Sequence, residues 1–397
     1  MKPGSWTSIL CMFLFGVAGA STVSKLIPLG ADLARVFGAS PAQFGWLVSL
    51  IALPAVLLAI PSGIVVDRFG PRRVLSVSAG LGVLANLVYL AAPSYGLMQV
   101  ARLIEGTAIV HMYTAAPAFL MATTDGKRRA AAMTIWASYM PTGTAVGLLL
   151  AGRFAAGDAW RGVFVAQGAL YLVVGLVNLA QPRLASTYLG KSGPSLWHRV
   201  LDLRSAYSRP PLLLLALAFF LMISLGFGAN STFPSYFARI HQTSVSSMSG
   251  LVAMATLLMI PGSLGVGALI SAGRRQAVVF TGLGLVGAIV GSLAFYPPLS
   301  VAQRAVDVFL WFAMSGGGIA TVMATLPLVA EPERRGAAAA LMNQAAGTAT
   351  FVNPPIWLPL AAAGAWWPFA LLMVGGWSLA VACAWAIELI RGRRSEA

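Results

Sequence analysis

Apolar residues run along this chain in long blocks, and polar residues fall almost entirely in the short gaps between them. A helix that crosses a bilayer needs roughly 20 consecutive apolar residues. Twelve blocks meet that requirement, at about 6–29, 44–66, 74–92, 97–121, 131–154, 160–180, 212–237, 247–271, 277–296, 300–329, 337–361 and 366–390. The first is too long for the core of a cleaved signal peptide and reads as a retained span. One gap is long: Gln181 to Pro211, rich in Arg, Ser, Pro and Leu, with Trp197 and His198 inside it. It divides the chain into a six-helix half at 1–180, a linker at 181–211 and a second six-helix half at 212–397.

The gaps carry charge unequally. One alternate set holds Lys2; Arg68, Arg72 and Arg73; Lys127, Arg128 and Arg129; Arg183 through Arg209; Arg274 and Arg275; Arg334 and Arg335; and Arg391, Arg393 and Arg394. The other set holds little more than Arg35, Arg153, Arg161 and Arg239. Lysine and arginine accumulate in cytoplasmic loops, so both termini and the linker are expected in the cytoplasm. An even number of spans follows, and twelve satisfies it.

The halves repeat at an offset of 202 residues. Arg72-Arg73 returns as Arg274-Arg275, and Arg102-x-x-Glu105 returns as Arg304-x-x-Asp307. Asp125-Gly-Lys-Arg-Arg-Ala-Ala-Ala is similar to Glu331-Pro-Glu-Arg-Arg-Gly-Ala-Ala. Three matches in order argue for a duplicated six-helix unit.

Gly63 to Arg73 reads GIVVDRFGPRR. The pattern G-x-x-x-D-R-x-G-x-R-R closely resembles the loop between the second and third helices of the major facilitator superfamily of secondary transporters. Arg102-x-x-x-Gly106 resembles that family's fourth-helix motif, and Pro141-x-Gly143-x-x-x-Gly147 its fifth-helix motif, with Met140-Pro141 in place of the usual Gly-Pro. Trp160-Arg161 entering the sixth span is also typical. The resemblance covers the whole chain. It implies an all-α membrane protein of two pseudo-symmetric six-helix bundles that moves a solute by alternating access. It also implies a gate latch made of Gly63, Asp67, Arg68, Gly70, Arg72 and Arg73. Asp67 would face the N-terminal end of the eleventh helix, where a helix dipole favours an anion. Gly63 would admit a close helix approach, Gly70 and Pro71 would turn the chain, and the arginines would bond carboxylates or helix ends. A plain orientation signal explains the arginines but not the aspartate. At the 202 offset, Leu269 stands where Asp67 stands, so only the first half carries the carboxylate.

Charges inside spans are costly and mark functional candidates. Glu105 lies roughly 14 Å into the fourth span, near mid-membrane, and Arg102 is one turn above it and close enough in angle to pair. That pair is either a proton-sensitive element or a permanent brace. Arg304 and Asp307 repeat the arrangement in the tenth span. Either one of the two acids carries a coupling proton, or both simply pair with their arginines. Lys25, near the outer end of the first span, either snorkels to the interface or points into an outer cavity. His111 shares a small, partly polar face with Thr107, Thr114 and Ala118. It serves either a solute or a helix–helix hydrogen bond. Uncharged candidates for the solute are Tyr139, Asn230, Tyr236, Asn343 and Gln344, with Trp311 as an apolar wall; helix packing is the alternative for each.

Composition agrees with a membrane protein. Of 397 residues only 9% are charged, against about 25% in soluble domains, and the mean hydropathy is +0.82. The net charge of +15 is spread over the gaps and makes no continuous nucleic-acid surface. Cys11 and Cys383 lie inside apolar blocks and suggest neither disulfide nor metal site. Gly282-x-Gly284-x-x-Gly287 lacks the strand a dinucleotide fingerprint needs, and no phosphate loop or catalytic constellation is present. No enzyme activity, cofactor or metal is expected. The acids at depth suggest proton coupling, and the cations Lys25, His111, Arg102 and Arg304 outnumber Glu105 and Asp307, which leans toward uptake of an organic anion or metabolite; a monomer in a bacterial inner membrane is expected. Proton-driven efflux of an amphipathic drug or siderophore-like compound is the alternative. A non-transporting sensor on the same scaffold is a third reading of another class.

Overall fold

The computed structural model describes residues 1–155, 157–182, 207–330 and 335–395. Most of the linker, with Trp197 and His198, and the loop at 331–334, with Arg334, lie outside the described residues. Among the described residues the chain makes twelve helical paths. Helix 1 is Trp6–Ser24, continued through a 3-10 turn at Ile27–Leu29 into Gly30–Phe37. Helix 2 is Pro41–Ser49 and Ala52–Phe69, helix 3 Pro71–Ala91, helix 4 Tyr95–Thr123 and helix 5 Gly126–Ala137 with Tyr139–Phe154. Helix 6 enters at Asp158–Arg161 and runs as Gly162–Asn178. Helices 7 and 8 are Pro210–Ile240 and Val245–Leu257 with Met259–Ser271. Helices 9 to 12 are Gln276–Leu293, Val301–Val329, Arg335–Ala363 and Trp367–Ser395.

Proline explains the interruptions. A proline lacks the N–H that would bond the carbonyl four residues back. The breaks in helices 2, 5 and 8 fall at Leu50, Ser138 and Leu258, three or four residues before Pro54, Pro141 and Pro261. Helix starts follow capping rules. Ser40 with Gln43, and Ser300 with Gln303, form reciprocal capping boxes. Gly70, at φ +79°, separates helices 2 and 3, and Pro71 opens the latter.

Nine of the described helices are long and apolar enough to cross a membrane by hydropathy. The other three are helices 4, 5 and 11. The first carries Arg102, Glu105 and His111, and the others are diluted by Ser, Thr, Gly, Pro, Asn and Gln. Large apolar side chains such as Leu57, Val77, Leu285 and Leu371 stand exposed along helix surfaces, where lipid rather than water suits them.

The chain forms two compact units, Met1–Leu196 and Trp197–Ala397. In the first, helix 1 packs on helices 4, 5 and 6, helix 3 on helices 4 and 6, and helix 2 on helix 4. In the second, helix 7 packs on helices 10, 11 and 12, helix 9 on helices 10 and 12, and helix 8 on helix 10. Each pair recurs with every helix number raised by six, so the repeat seen in the sequence is also a repeat of packing.

Candidate functional site

Helix 1 carries Gly16 and Gly19 on one side and Ala18, Ser21, Thr22, Ser24 and Lys25 around the rest. Small residues admit close neighbours, and helix 5 answers with Gly143 and Gly147. A Cβ at Gly143 would collide with Val17 and Ala20, and one at Gly147 with Ser21 and Ser24. Ser24 Oγ donates to Thr144 O across this contact at 3.0 Å. Gly106 likewise lets helix 4 meet the break in helix 2, at Ile51 and Pro54. These approaches hold Lys25 inside the bundle.

Lys25, Arg102 and Glu105 are all fully buried. Lys25 Nζ donates to Glu105 Oε1, forming an ion pair, and to Asn86 Oδ1 at 2.6 Å. Tyr89 Oη donates to Glu105 Oε2 at 3.0 Å, and Arg102 Nη1 reaches the same oxygen at 3.3 Å. Arg102 also donates to the carbonyls of Thr22, Val23 and Val48, at 2.8, 3.1 and 3.3 Å. Those carbonyls lie at the end of the Trp6–Ser24 segment of helix 1 and beside the break in helix 2, where the chain leaves acceptors unpaired. The Lys25 ammonium lies 4.7 Å from the Tyr89 ring centre and 5.1 Å from that of Phe164, within cation–π range. A second polar layer adjoins. Gln167 Nε2 donates to Ala18 O, Ser21 Oγ and Thr22 Oγ1, and the Thr22 and Tyr171 hydroxyls bond at 2.7 Å.

The pairing of Arg102 with Glu105 is thus present, but Lys25 neither snorkels nor opens to an outer cavity. Its chain is long enough to fold back into the bundle, where Glu105 offers the carboxylate that a buried ammonium needs. Asn86, Tyr89, Phe164, Gln167 and Tyr171 were missed by sequence reasoning. The polarity of Asn86 and Gln167 in mid-span was the available signal.

The second half does not reproduce this arrangement. Arg304 donates to His241 Nε2 at 2.8 Å, to Tyr296 O at 2.8 Å, to Pro297 O at 3.3 Å and to Ala294 O. Among the described residues no hydrogen bond or ion pair joins it to Asp307, which is half-buried. The expected Arg304–Asp307 pair is therefore replaced by a guanidinium that caps the end of helix 9. Carbonyls past a helix end are unpaired and satisfy it at short range.

Tyr236 and Trp311 are fully buried, the former donating to Phe295 O at 2.7 Å and the latter edge-on to Trp377. Both are taken up in packing within the second unit. Asn230 is buried, with Oδ1 unpartnered among the described residues. Asn343 is exposed on helix 11, and Gln344 bonds the Tyr207 hydroxyl. His111 is half-buried and its Nδ1 meets Thr107 O of its own helix at 2.7 Å. Tyr139 is half-buried in an aromatic face with Tyr113 and Trp136, ring centres 4.9 and 4.5 Å away. The Tyr113 hydroxyl is buried and unpartnered among the described residues.

The family profile described as Major Facilitator Superfamily matches residues 7–354. The chain belongs to the Major Facilitator Superfamily. It is 25% identical over 353 residues to the uncharacterized MFS-type transporter YceJ of Bacillus subtilis (strain 168), covering 88% of this chain and 87% of that one. A segment of 182 residues is 26% identical to the methyl viologen resistance protein SmvA of Salmonella typhimurium (strain LT2), covering 45% of this chain and 37% of that one. In fold, it matches a bacterial homologue of the human lysosomal transporter Spinster with a TM-score of 0.76 at 16% identity, over 98% of this chain and 96% of that one. The nucleoside transporter NupG matches equally, with a TM-score of 0.76 at 14% identity over 96% and 99%.

As a member of the superfamily the chain is a transporter, not an enzyme. In the loop that first resembled the family, Gly63 is half-buried, Asp67, Arg68 and Arg73 are exposed, and Gly70 makes the turn. Arg72 donates to Asn178 O at 3.4 Å and to Leu179 O, while Asn178 Nδ2 returns a bond to Arg72 O at 2.9 Å. Arg72 therefore ties the start of helix 3 to the end of helix 6 within the first unit.

Proposed function

We propose that this chain is a proton-coupled carrier of an amphipathic organic compound, with Glu105 as the proton-accepting carboxylate. The observation that carries the reading is Glu105 itself, buried between Lys25, Arg102 and Tyr89. Adding a proton to Glu105 removes the anion that holds two buried cations. The local charge changes by one where the dielectric is low and the energetic effect large. That is the property a coupling group needs.

The sequence favoured uptake of an organic anion because cations outnumber acids in the spans. That count loses its force once the cations are placed. Lys25 is bound by Glu105 and Asn86, Arg102 by Glu105 and three carbonyls, and Arg304 by His241 and three carbonyls. The half-buried rings of Tyr113 and Tyr139, beside the buried Trp136, suit a flat apolar compound better. Relatives named for resistance to methyl viologen, methylenomycin A and puromycin support the same class, with export as its direction. A relative named as a putative metabolite transport protein keeps uptake as the second reading. On the loop charges we propose that both termini are cytoplasmic.

Proteoliposomes enclosing a pH-sensitive dye test this directly. Ethidium, as an amphipathic probe, should drive proton movement through the wild type and not through Glu105→Gln. Proton movement with benzoate alone would restore the anion reading. Solute flux without proton movement refutes coupling, and absence of any flux across both probes and a metabolite panel favours a sensor.

A further inference from the structure

We propose that the Lys25 ammonium is a tethered substitute for a free monovalent cation. It fills a cation site made by Glu105 Oε1, Asn86 Oδ1 and the faces of Tyr89 and Phe164, and so makes the carrier independent of sodium and potassium. The inference deepens the reading of Glu105 as the coupling carboxylate and rests on it only for its consequence in transport.

The case rests on how the two oxygens are aimed. Asn86 Nδ2 donates to Gly82 O at 2.7 Å, within its own helix. That bond fixes the amide so that Oδ1 faces Lys25. Glu105 Oε2 is occupied by Tyr89 and Arg102, so Oε1 is the oxygen left to face Lys25. Both acceptors are thus oriented by bonds that do not involve Lys25. The remaining neighbours of Nζ are two aromatic rings, themselves stacked at 4.5 Å between centres. An aromatic face is electron-rich and attracts cations. Each of these four groups therefore attracts positive charge. The charged and titratable groups around it are Glu105, Arg102 and Tyr89, with Tyr171 further along helix 6.

Such a cage is selective for a cation, not for lysine. Truncating Lys25 leaves two buried oxygens converging on a space with no donor, which is costly, and vacates the volume of the side chain. A small hydrated or partly dehydrated cation can then enter. Oxygen donors of this kind suit hard cations. The native chain holds its own cation at effectively unlimited local concentration, and free sodium cannot compete with it.

Thermal unfolding of the purified full-length protein in detergent tests the proposal. NaCl, LiCl and KCl are compared with choline chloride at equal ionic strength. The wild type should give the same Tm in all four. Lys25→Ala should show a saturable rise in Tm with at least one of the three metal ions over choline, as linkage requires for a ligand of the folded state. The rise should vanish in Lys25→Ala/Glu105→Gln and in Lys25→Ala/Asn86→Leu. A wild type that responds to sodium as strongly as the variant overturns the proposal. So does a Lys25→Ala protein whose Tm is the same in all four salts, or one that cannot be recovered folded in any of them. The proton-flux test of Glu105→Gln is separate. A cation effect on Lys25→Ala without proton coupling in the wild type leaves the site and removes its role.

Discussion

Replacing Glu105 and replacing Lys25 should have unequal effects, and the inequality follows from their partners. Glu105→Gln keeps shape and leaves Tyr89 an oxygen to bond. Arg102 keeps three backbone carbonyls. Lys25, however, keeps only the Asn86 oxygen and two rings around a fully buried charge. Stranding one member of a buried ion pair costs about 3–5 kcal/mol. Lys25→Met leaves Glu105 its Arg102 counter-charge and Tyr89 on Oε2, so no charge loses its only partner; it strands Glu105 Oε1 and the Asn86 amide oxygen, each unpaired group costing about 1–3 kcal/mol. Methionine also refills the volume, so little cavity term is added. The double variant removes the stranded ammonium and should be more stable than Glu105→Gln alone, with a coupling of about 0.5–3 kcal/mol. Unfolding of the four purified proteins in one detergent at neutral pH gives the ranking. The expected order is wild type, Lys25→Met, the double variant, then Glu105→Gln. A Glu105→Gln protein as stable as Lys25→Met, or a double variant below Glu105→Gln, refutes the geometry on which the ranking is built.

Four further outcomes are expected. Gly147→Ala should lower stability by about 1–3 kcal/mol by pushing Ser21 and Ser24 away from helix 5. Gly80→Ala, on a helix surface with open space at the new methyl, should raise it by about 0.5–1 kcal/mol. Burial and the Arg304 guanidinium lower the His241 imidazole below its ordinary value of about 6.5. The neutral ring that accepts from Arg304 therefore contributes stability that is complete above about pH 6.5 and lost as pH falls below it. Thermal unfolding between about pH 7.5 and 5 should show that loss, and His241→Gln, which keeps an acceptor and cannot titrate, should flatten it. Gln242 has φ +51°, and Thr243 N bonds Ala238 O at 3.0 Å around it. Gln242→Gly should relieve a left-handed residue at the end of helix 7 and raise stability by about 1 kcal/mol, measured in the same assay.

The membrane-length blocks were legible because a helix in lipid satisfies its own backbone and leaves its length in the hydropathy. The tenth block, expected at 300–329, is helix 10 at Val301–Val329. The first was placed short: helix 1 continues through Ile27–Leu29 to Phe37. Pairing along one helix was also legible, as for Arg102 and Glu105. Contacts between helices were not. Periodicity gives the face of a residue on its own helix, but not which face of another helix it meets. Lys25 is 80 positions from Glu105 and 61 from Asn86. Asn86 and Gln167 stand outside every motif and repeat in the sequence, although the cost of a buried amide applies to them equally.

The two halves share a packing plan but not a chemistry, and the 202 offset shows where they part. Glu105 corresponds to Asp307, but the groups that complete its site do not survive the repeat. Lys25 corresponds to Phe227, Asn86 to Ala288 and Tyr89 to Gly291. At Gly291 the room left by the missing ring is filled by Trp311, which lies against it and edge-on to Trp377. Phe233, Phe295, Trp357 and Phe369 continue that apolar core. A carboxylate at Asp307 consequently has no ammonium to hold and stays half-buried, while Arg304 turns to helix-end carbonyls. The same division appears in the loops, where Asp67 has Leu269 as its counterpart. A duplicated scaffold constrains which helices touch, because that depends on small residues and ridges. It does not constrain which polar groups fill the core, because each buried charge requires its own set of partners. In this chain the first unit holds a polar cluster, and the second holds indoles and phenyl rings beside Arg304 and Asp307.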